Sequence, residues 1–186
     1  MKENLFLFTG VLFLFFSCSK PSKIGKDFNC KTASFNNIEE IKDVKNFFSI
    51  KIPKTWKTNF YYDAVQSSIY TADTTKQLTE TLLLDITSIN QNLKFDIAFK
   101  LKQEQNNLSK KLIKKASKEV IIQNKPAYYT ISKGKKGKFN YQVGHFFIKI
   151  NEQKFILAKA EIYGDSLINK RFCNALALIE KIKILY

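Results

Sequence analysis

The sequence predicts an α+β domain, an antiparallel sheet covered by helices on both faces, and three observations carry that prediction. Short segments with period-two apolar patterning follow one another along most of the chain, their connections have hairpin length, and only two stretches switch to helical spacing. A sheet whose central strands are apolar on both faces needs cover on both sides, and two amphipathic helices far apart in sequence supply it. The 186 residues make one modest domain. A chain that is 45% hydrophobic with 17 Phe has too much apolar surface to stay extended or disordered. A domain of about 150 residues buries roughly 70% of the surface its unfolded chain exposes, so no metal or disulfide framework is obligatory.

Taken in order, residues 47–52 (FFSIKI) form a short strand stopped by Pro53, which has no amide hydrogen for a ladder, with Trp56 three residues on. Residues 67–71 and 81–89 are the next strands, and in the latter Leu82, Leu84 and Ile86 share one face. The period then changes: Ala98, Leu101, Leu108 and Leu112 recur at helical spacing and predict a helix over 94–109. Residues 120–122, 127–132, 139–150 and 154–163 read as four strands in antiparallel succession, joined by turns at 123–126, 133–138 and 151–153. A last helix is capped by Asp165 or Ser166, with the stripe Ile168, Phe172, Ala175, Leu176 and Ile179 facing the sheet. Gly134 and Gly137 sit in a lysine-rich hairpin, without the strand-to-helix setting of a phosphate loop.

The first 17 residues read as a targeting segment. Lys2 precedes an apolar run from Leu5 to Phe16, and twelve helical residues span only about 18 Å against a hydrocarbon core of roughly 30 Å. That is the length of a signal-peptide core, with the small Ser17 at the cleavage position. Leu14-Phe15-Phe16-Ser17-Cys18 resembles a bacterial lipobox, which makes Cys18 the acylated mature N-terminus; the alternative is an ordinary secretory signal with Cys18 incidental. Two or three acyl chains, at about 0.8 kcal/mol per buried methylene, anchor stably where one chain is reversible. Residues 18–36 then read as a flexible tether and 37–186 as the single domain. Ser19 in place of Asp, and a tether without an acidic cluster, favour the periplasmic face of the outer membrane over inner-membrane retention or surface export.

The strand-Pro-x-x-Trp start at Phe48 to Trp56, the helix after the third strand, the Asn124-Lys125-Pro126-Ala127 hairpin, the hairpin leading into Phe155 to Ala158 and the closing helix together resemble the PsbP-like family. The resemblance covers about residues 47–186 and implies a curved antiparallel sheet of about six to seven strands between helices, an α/β/α sandwich shared with Ran-binding release factors of the Mog type. Members of that family are mostly non-catalytic, and their bacterial relatives include many lipoproteins. No catalytic residue carries over from such a family.

The residues themselves point the same way. His145 is the single histidine and sits mid-strand, reading as a structural histidine; a nucleophile–base pair needs geometry that nothing in the sequence indicates. Zinc needs three or four ligands, which one His and two spare Cys do not supply, and no cofactor is expected. Asp85 and Glu161 interrupt apolar strands and carry the remotest reading, a carboxylate hydrolase, against the plainer reading of strand carboxylates paired with lysine. In an oxidising compartment Cys30 and Cys173 form either a disulfide or two free thiols.

The net charge of +15 comes from 31 basic against 16 acidic residues, and all the basic ones but Arg171 are Lys. Lys110, Lys111, Lys114 and Lys115 run out of the first helix and Lys133, Lys135, Lys136 and Lys138 crowd one hairpin. They read either as contacts to an anionic lipid surface, at about 1 kcal/mol each, or as compositional bias. Lysine without arginine argues against bidentate phosphate recognition and nucleic acid. The expected function is a membrane-anchored, non-enzymatic accessory or binding lipoprotein of the envelope, docking a protein or envelope component. The alternative is a small-molecule or lipid carrier whose cleft between sheet and helix is lined by Phe146, Phe147, Phe155 and Tyr163.

Overall fold

Seven antiparallel strands form the main sheet of the structure, a computed structural model that describes residues 23–31 and 33–185. In chain order the elements are α1 (Lys23–Asp27), β1 (Ile38–Lys42), β2 (Phe48–Pro53), β3 (Lys57–Tyr62), β4 (Gln66–Ala72), β5 (Leu83–Ile89), α2 (Ile97–Ser109), β6 (Ile113–Ile122), β7 (Lys125–Lys136), β8 (Phe139–Lys149), β9 (Phe155–Tyr163), α3 (Ile168–Ile179) and β10 (Lys183–Ile184). The large sheet runs β3-β4-β5-β9-β8-β7-β6. The fold is α+β, with helices on both faces of that sheet. The first predicted strand, β2, does not join it: β2 pairs with β1 and β10 in a separate three-stranded sheet, and α3 touches both β2 and β9.

Alternation along the strands builds two cores. Ile69, Leu84, Ile86, Phe146, Ile148, Ala158, Ala160 and Ile162 face α3 and the small sheet, meeting Phe172, Ala175, Leu176 and Ile179 in one continuous cluster. Each fully buried large side chain here contributes roughly 1.5–3 kcal/mol. On the opposite face, under α2, Phe95 and Phe99 pack on Tyr128, Phe147 and Phe155, with Phe99 edge-on to Phe147 at 5.0 Å between ring centroids.

Several expectations are corrected. The α2 stripe expected from Ala98, Leu101 and Leu108 faces outward: Leu101 is 53% and Leu108 72% exposed. Asp96 caps α2 by accepting from the Phe99 amide at 2.9 Å, and this start turns Phe99 and Asn107 to the sheet instead. In α3 the first cap is Leu167, at φ 46°, because Asp165 instead accepts from Asn140 Nδ2 at 2.7 Å. β1 and β3 have no apolar alternation to announce them, since every residue of β1 is exposed but Ile41 and every residue of β3 but Thr58. β6 begins at Ile113, so Lys114 and Lys115 belong to an edge strand and not to a helix extension. Lysines on an edge oppose pairing with other chains.

Within the stretch expected as tether, Ile24, Phe28 and Cys30 pack against the domain. Ile24 of α1 is buried, Phe28 stacks edge-on with Phe172 at 5.0 Å, and the Cys30 and Cys173 sulfurs are bonded, their Cα atoms 5.4 Å apart. A five-residue helix with a single large apolar side chain, Ile24, leaves solvent only where a larger core receives that side chain, and that core is invisible from the local sequence.

Candidate functional site

Because α2 covers only one end of its face of the sheet, the other end stays open. Tyr141, Val143 and His145 of β8 point to that face, opposite Tyr163, Glu161 and Lys159 of β9. From β5, Asp85 lies opposite Lys159 and Leu83 opposite Glu161. Lys135 and Lys136 reach over from the β7–β8 hairpin, and Lys110 and Leu112 from the α2–β6 connection, enclosing a cleft of about 470 Å³. Gly134 lets that connection approach: a Cβ there would lie 2.7 Å from Leu112 Cδ2 and 2.8 Å from the Lys111 carbonyl oxygen.

A charged network lines the floor. Lys159 Nζ lies 2.9 Å from Glu161 Oε1 and 3.2 Å from Asp85 Oδ2. Glu161 Oε2 accepts from Tyr163 at 2.9 Å and from Lys136 at 3.1 Å, and the Lys136 ammonium lies 5.1 Å and 5.3 Å from the Tyr141 and Tyr163 ring centroids. Burial works to raise the Glu161 carboxyl, but Lys159, Lys136 and the Tyr163 hydroxyl outweigh it and hold the group at about 2. Burial works to lower Lys159, and its two carboxylates outweigh that and raise it. Burial, with Lys159 and Lys110 beside it, pushes His145 down to about 4. Burial and the Glu161 charge push the Tyr141 hydroxyl up. At neutral pH the site therefore holds an ionised glutamate, a protonated lysine and a neutral imidazole.

This arrangement suits binding better than proton transfer. Asp85 and Glu161 converge on one lysine instead of flanking a bond to be cleaved, and a carboxyl held at about 2 has no proton to give at neutral pH. His145 hydrogen-bonds to no hydroxyl or thiol among the described residues.

The carrier cleft expected between sheet and helix is filled where it was expected and open beside it. Phe146 lies on the other face, fully buried; Phe147 and Phe155 are packed beneath α2; only Tyr163 belongs to the cleft's surroundings. The two lysine clusters meet at one corner, because β6 pairs with β7 there and sets Ile113 opposite Lys133 and Lys114 opposite Ser132. Lys114 pairs with Glu104 of α2 and Lys136 with Glu161, whereas Lys110, Lys111, Lys115, Lys133, Lys135 and Lys138 pair with no carboxylate among the described residues. Cys18 lies outside the described residues. Sequence reasoning missed Lys159, Tyr141 and Val143 as site residues. Their signal was available: a turn centred on Glu152 sets the β8–β9 register and places all three beside His145 and Glu161.

No protein-family model matches the chain, and no curated protein matches it. Among solved structures, a crystal structure from Bacteroides thetaiotaomicron aligns with a TM-score of 0.52 at 12% identity, covering 81% of this chain and 49% of that one, so this chain spans about half of its length. The solution structure of cyanobacterial PsbP from Synechocystis aligns at 0.51 with 10% identity over 83% of this chain and 96% of that one. The Saccharomyces cerevisiae Ran-binding protein Mog1p aligns at 0.51 with 10% identity, over 80% and 95% of the two chains. Likeness at such identity shows the fold, and the fold of this chain is that of PsbP and Mog1p.

Proposed function

We propose that this chain is a non-enzymatic binding protein of the bacterial cell envelope, anchored through acylated Cys18 at the periplasmic face of the outer membrane, with the lysine-rimmed cleft as its binding site. The observation that carries the reading is the cleft itself: a cavity of about 470 Å³, within the range of roughly 300–1,000 Å³ typical of ligand sites, whose acidic groups are all committed to ion pairs. The anchor fits the same picture. Four residues separate Cys18 from α1, so the two are at most about 18 Å apart. α1 is tied to β6 by the Lys118–Asp27 ion pair at 2.8 Å, so on this reading the anchor leaves the domain beside the edge strand that carries Lys114 and Lys115.

Two experiments test the reading. Growth with an alkyne-tagged fatty acid labels the wild-type protein and not Cys18→Ser; equal labelling of both removes the anchor. Affinity capture from detergent-solubilised envelope compares wild type with Val143→Trp, which fills the cleft. Components enriched by wild type and lost with the variant support the site, and an identical set from both removes it.

A second reading, contact with an anionic lipid surface through the outer side of α2, is favoured by the exposure of Ile97 (77%), Leu101 and Leu108 beside Lys110 and Lys111. Pairing Leu101→Asp with Leu108→Asp abolishes co-sedimentation of the unacylated protein with phosphatidylglycerol vesicles on that reading, and leaves it unchanged otherwise.

A further inference from the structure

Granted that the cleft is the binding site, its chemistry narrows what it holds. Four lysines, Lys110, Lys135, Lys136 and Lys159, line it against one carboxylate, Glu161, and that carboxylate is already engaged on both oxygens. Lys110 and Lys135 carry charges that no carboxylate among the described residues balances. Between the charges the lining is apolar, with Val143, Leu112 and the Tyr141 ring. His145 faces the cleft with neither ring nitrogen hydrogen-bonded among the described residues. Across the β7–β8 ladder, the buried hydroxyls of Thr130, opposite His145, and Ser132, opposite Val143, have no partner among the described residues either.

We propose that the cleft binds an organic anion, with a phosphate or carboxylate head seated at His145 between Lys110 and Lys159 and an apolar body lying over Val143 and Tyr141. The head supplies what the site lacks: a counter-charge for Lys110, which pairs with no carboxylate among the described residues, and an acceptor for the His145 ring. The apolar body displaces water from Val143 and Leu112, a gain a bare inorganic anion does not make. Lysine suits such a ligand as a point charge that tolerates several head geometries, where arginine imposes a fixed fork.

The single histidine reports occupancy directly. The charged groups facing it are Lys159, Glu161 and Lys110 from the α2–β6 connection, with Asp85 behind them, paired with Lys159. Burial, Lys159 and Lys110 disfavour its protonated form, and Glu161 favours it. An anion seated beside it adds a second favourable charge and raises its titration midpoint. By reciprocity the protonated site binds the anion more tightly by the same factor.

The test uses the mature protein and octyl phosphate below its micelle concentration, with octanol and inorganic phosphate as partial probes, and follows the His145 ring resonances from pH 7.5 to 3.5. Octyl phosphate is expected to saturate and to raise the His145 midpoint by a unit or more, equivalent to about tenfold tighter binding at low pH. Octanol binds more weakly and leaves the midpoint in place, and inorganic phosphate moves it only at far higher concentration. Lys110→Ala, at an exposed side chain with no carboxylate partner among the described residues, weakens octyl phosphate about two- to fivefold and leaves octanol unchanged. Vesicles containing phosphatidic acid that compete with octyl phosphate for the His145 shift assign the head to a lipid; failure of vesicles to compete assigns it to a soluble organophosphate. Octanol binding as tightly as octyl phosphate overturns the anion while sparing the cleft as a binding site. Inorganic phosphate binding as tightly overturns the organic body, and no saturable response to any probe overturns the proposal entirely.

Discussion

Glu161→Gln isolates the charge at the centre of the site. Gln keeps the size of the side chain and an oxygen to accept from Tyr163, so the change removes the charge and little else. Lys136 is more than half exposed and returns to water, and Lys159 keeps Asp85 at 3.2 Å, so the loss falls mainly on the Glu161–Lys159 contact. The carboxyl is held at about 2 in the folded chain against an ordinary 4.5, so folding is favoured by its ionised form. That stability is fully present above 4.5 and is lost as pH falls from there through 2. By linkage it amounts to about 3 kcal/mol at pH 7 and about 1 kcal/mol at pH 3. Urea unfolding of wild type and variant at both pH values measures the difference directly. A variant destabilised by about 3 kcal/mol at pH 7 and by about 1 kcal/mol at pH 3 supports the account. A difference that is the same at both pH values would refute it, because the lost stability then comes from packing and not from charge.

Three further outcomes follow from the geometry. The Cys30–Cys173 bridge closes a separation of 143 residues, so replacing both by Ala lowers the unfolding free energy by about 3–5 kcal/mol, and the denatured, unreduced mature protein shows no reactive thiol; two thiols remove the bridge. Gly134→Ala forces the Lys111–Leu112 backbone away from β7, costing about 1–3 kcal/mol and weakening octyl phosphate; a variant as stable as wild type shows the connection to be free to move. Arg171, the lone arginine, donates from Nη1 to the Thr81 and Tyr163 carbonyls at 2.8 Å and 2.9 Å. Arg171→Ala leaves both buried acceptors without it and lowers stability by about 2–4 kcal/mol in thermal or urea unfolding; a loss under about 0.5 kcal/mol contradicts that role.

The strands from β7 to β9 were legible because a buried strand in a hairpin meander declares itself twice, through apolar alternation and through its turns. Gln123 and Asn124 both take positive φ in the two-residue turn joining β6 to β7, as such a turn requires. Where alternation fails, legibility fails: β1 and β3 are nearly all exposed, and the lysine-rich first half of β6 looks like anything but a strand. The α2 leucines, expected inward, face solvent because the aromatic pair Phe95 and Phe99 wins the sheet through larger contact area and ring geometry.

By itself the sequence determined the α+β class, the antiparallel succession, the resemblance to PsbP, the expectation of an anchor at Cys18 and the excess of lysine. Those follow from local pattern, where each residue's chemistry is read against its near neighbours. Tertiary structure alone decided which lysines share one corner, that Asp85 and Glu161 meet on Lys159, that α1 joins the core, and that α2 stops short and leaves a cleft. Those depend on which strands become neighbours and on how far a helix reaches across them, and a charge has a partner only when a distant part of the chain brings one within a few ångströms.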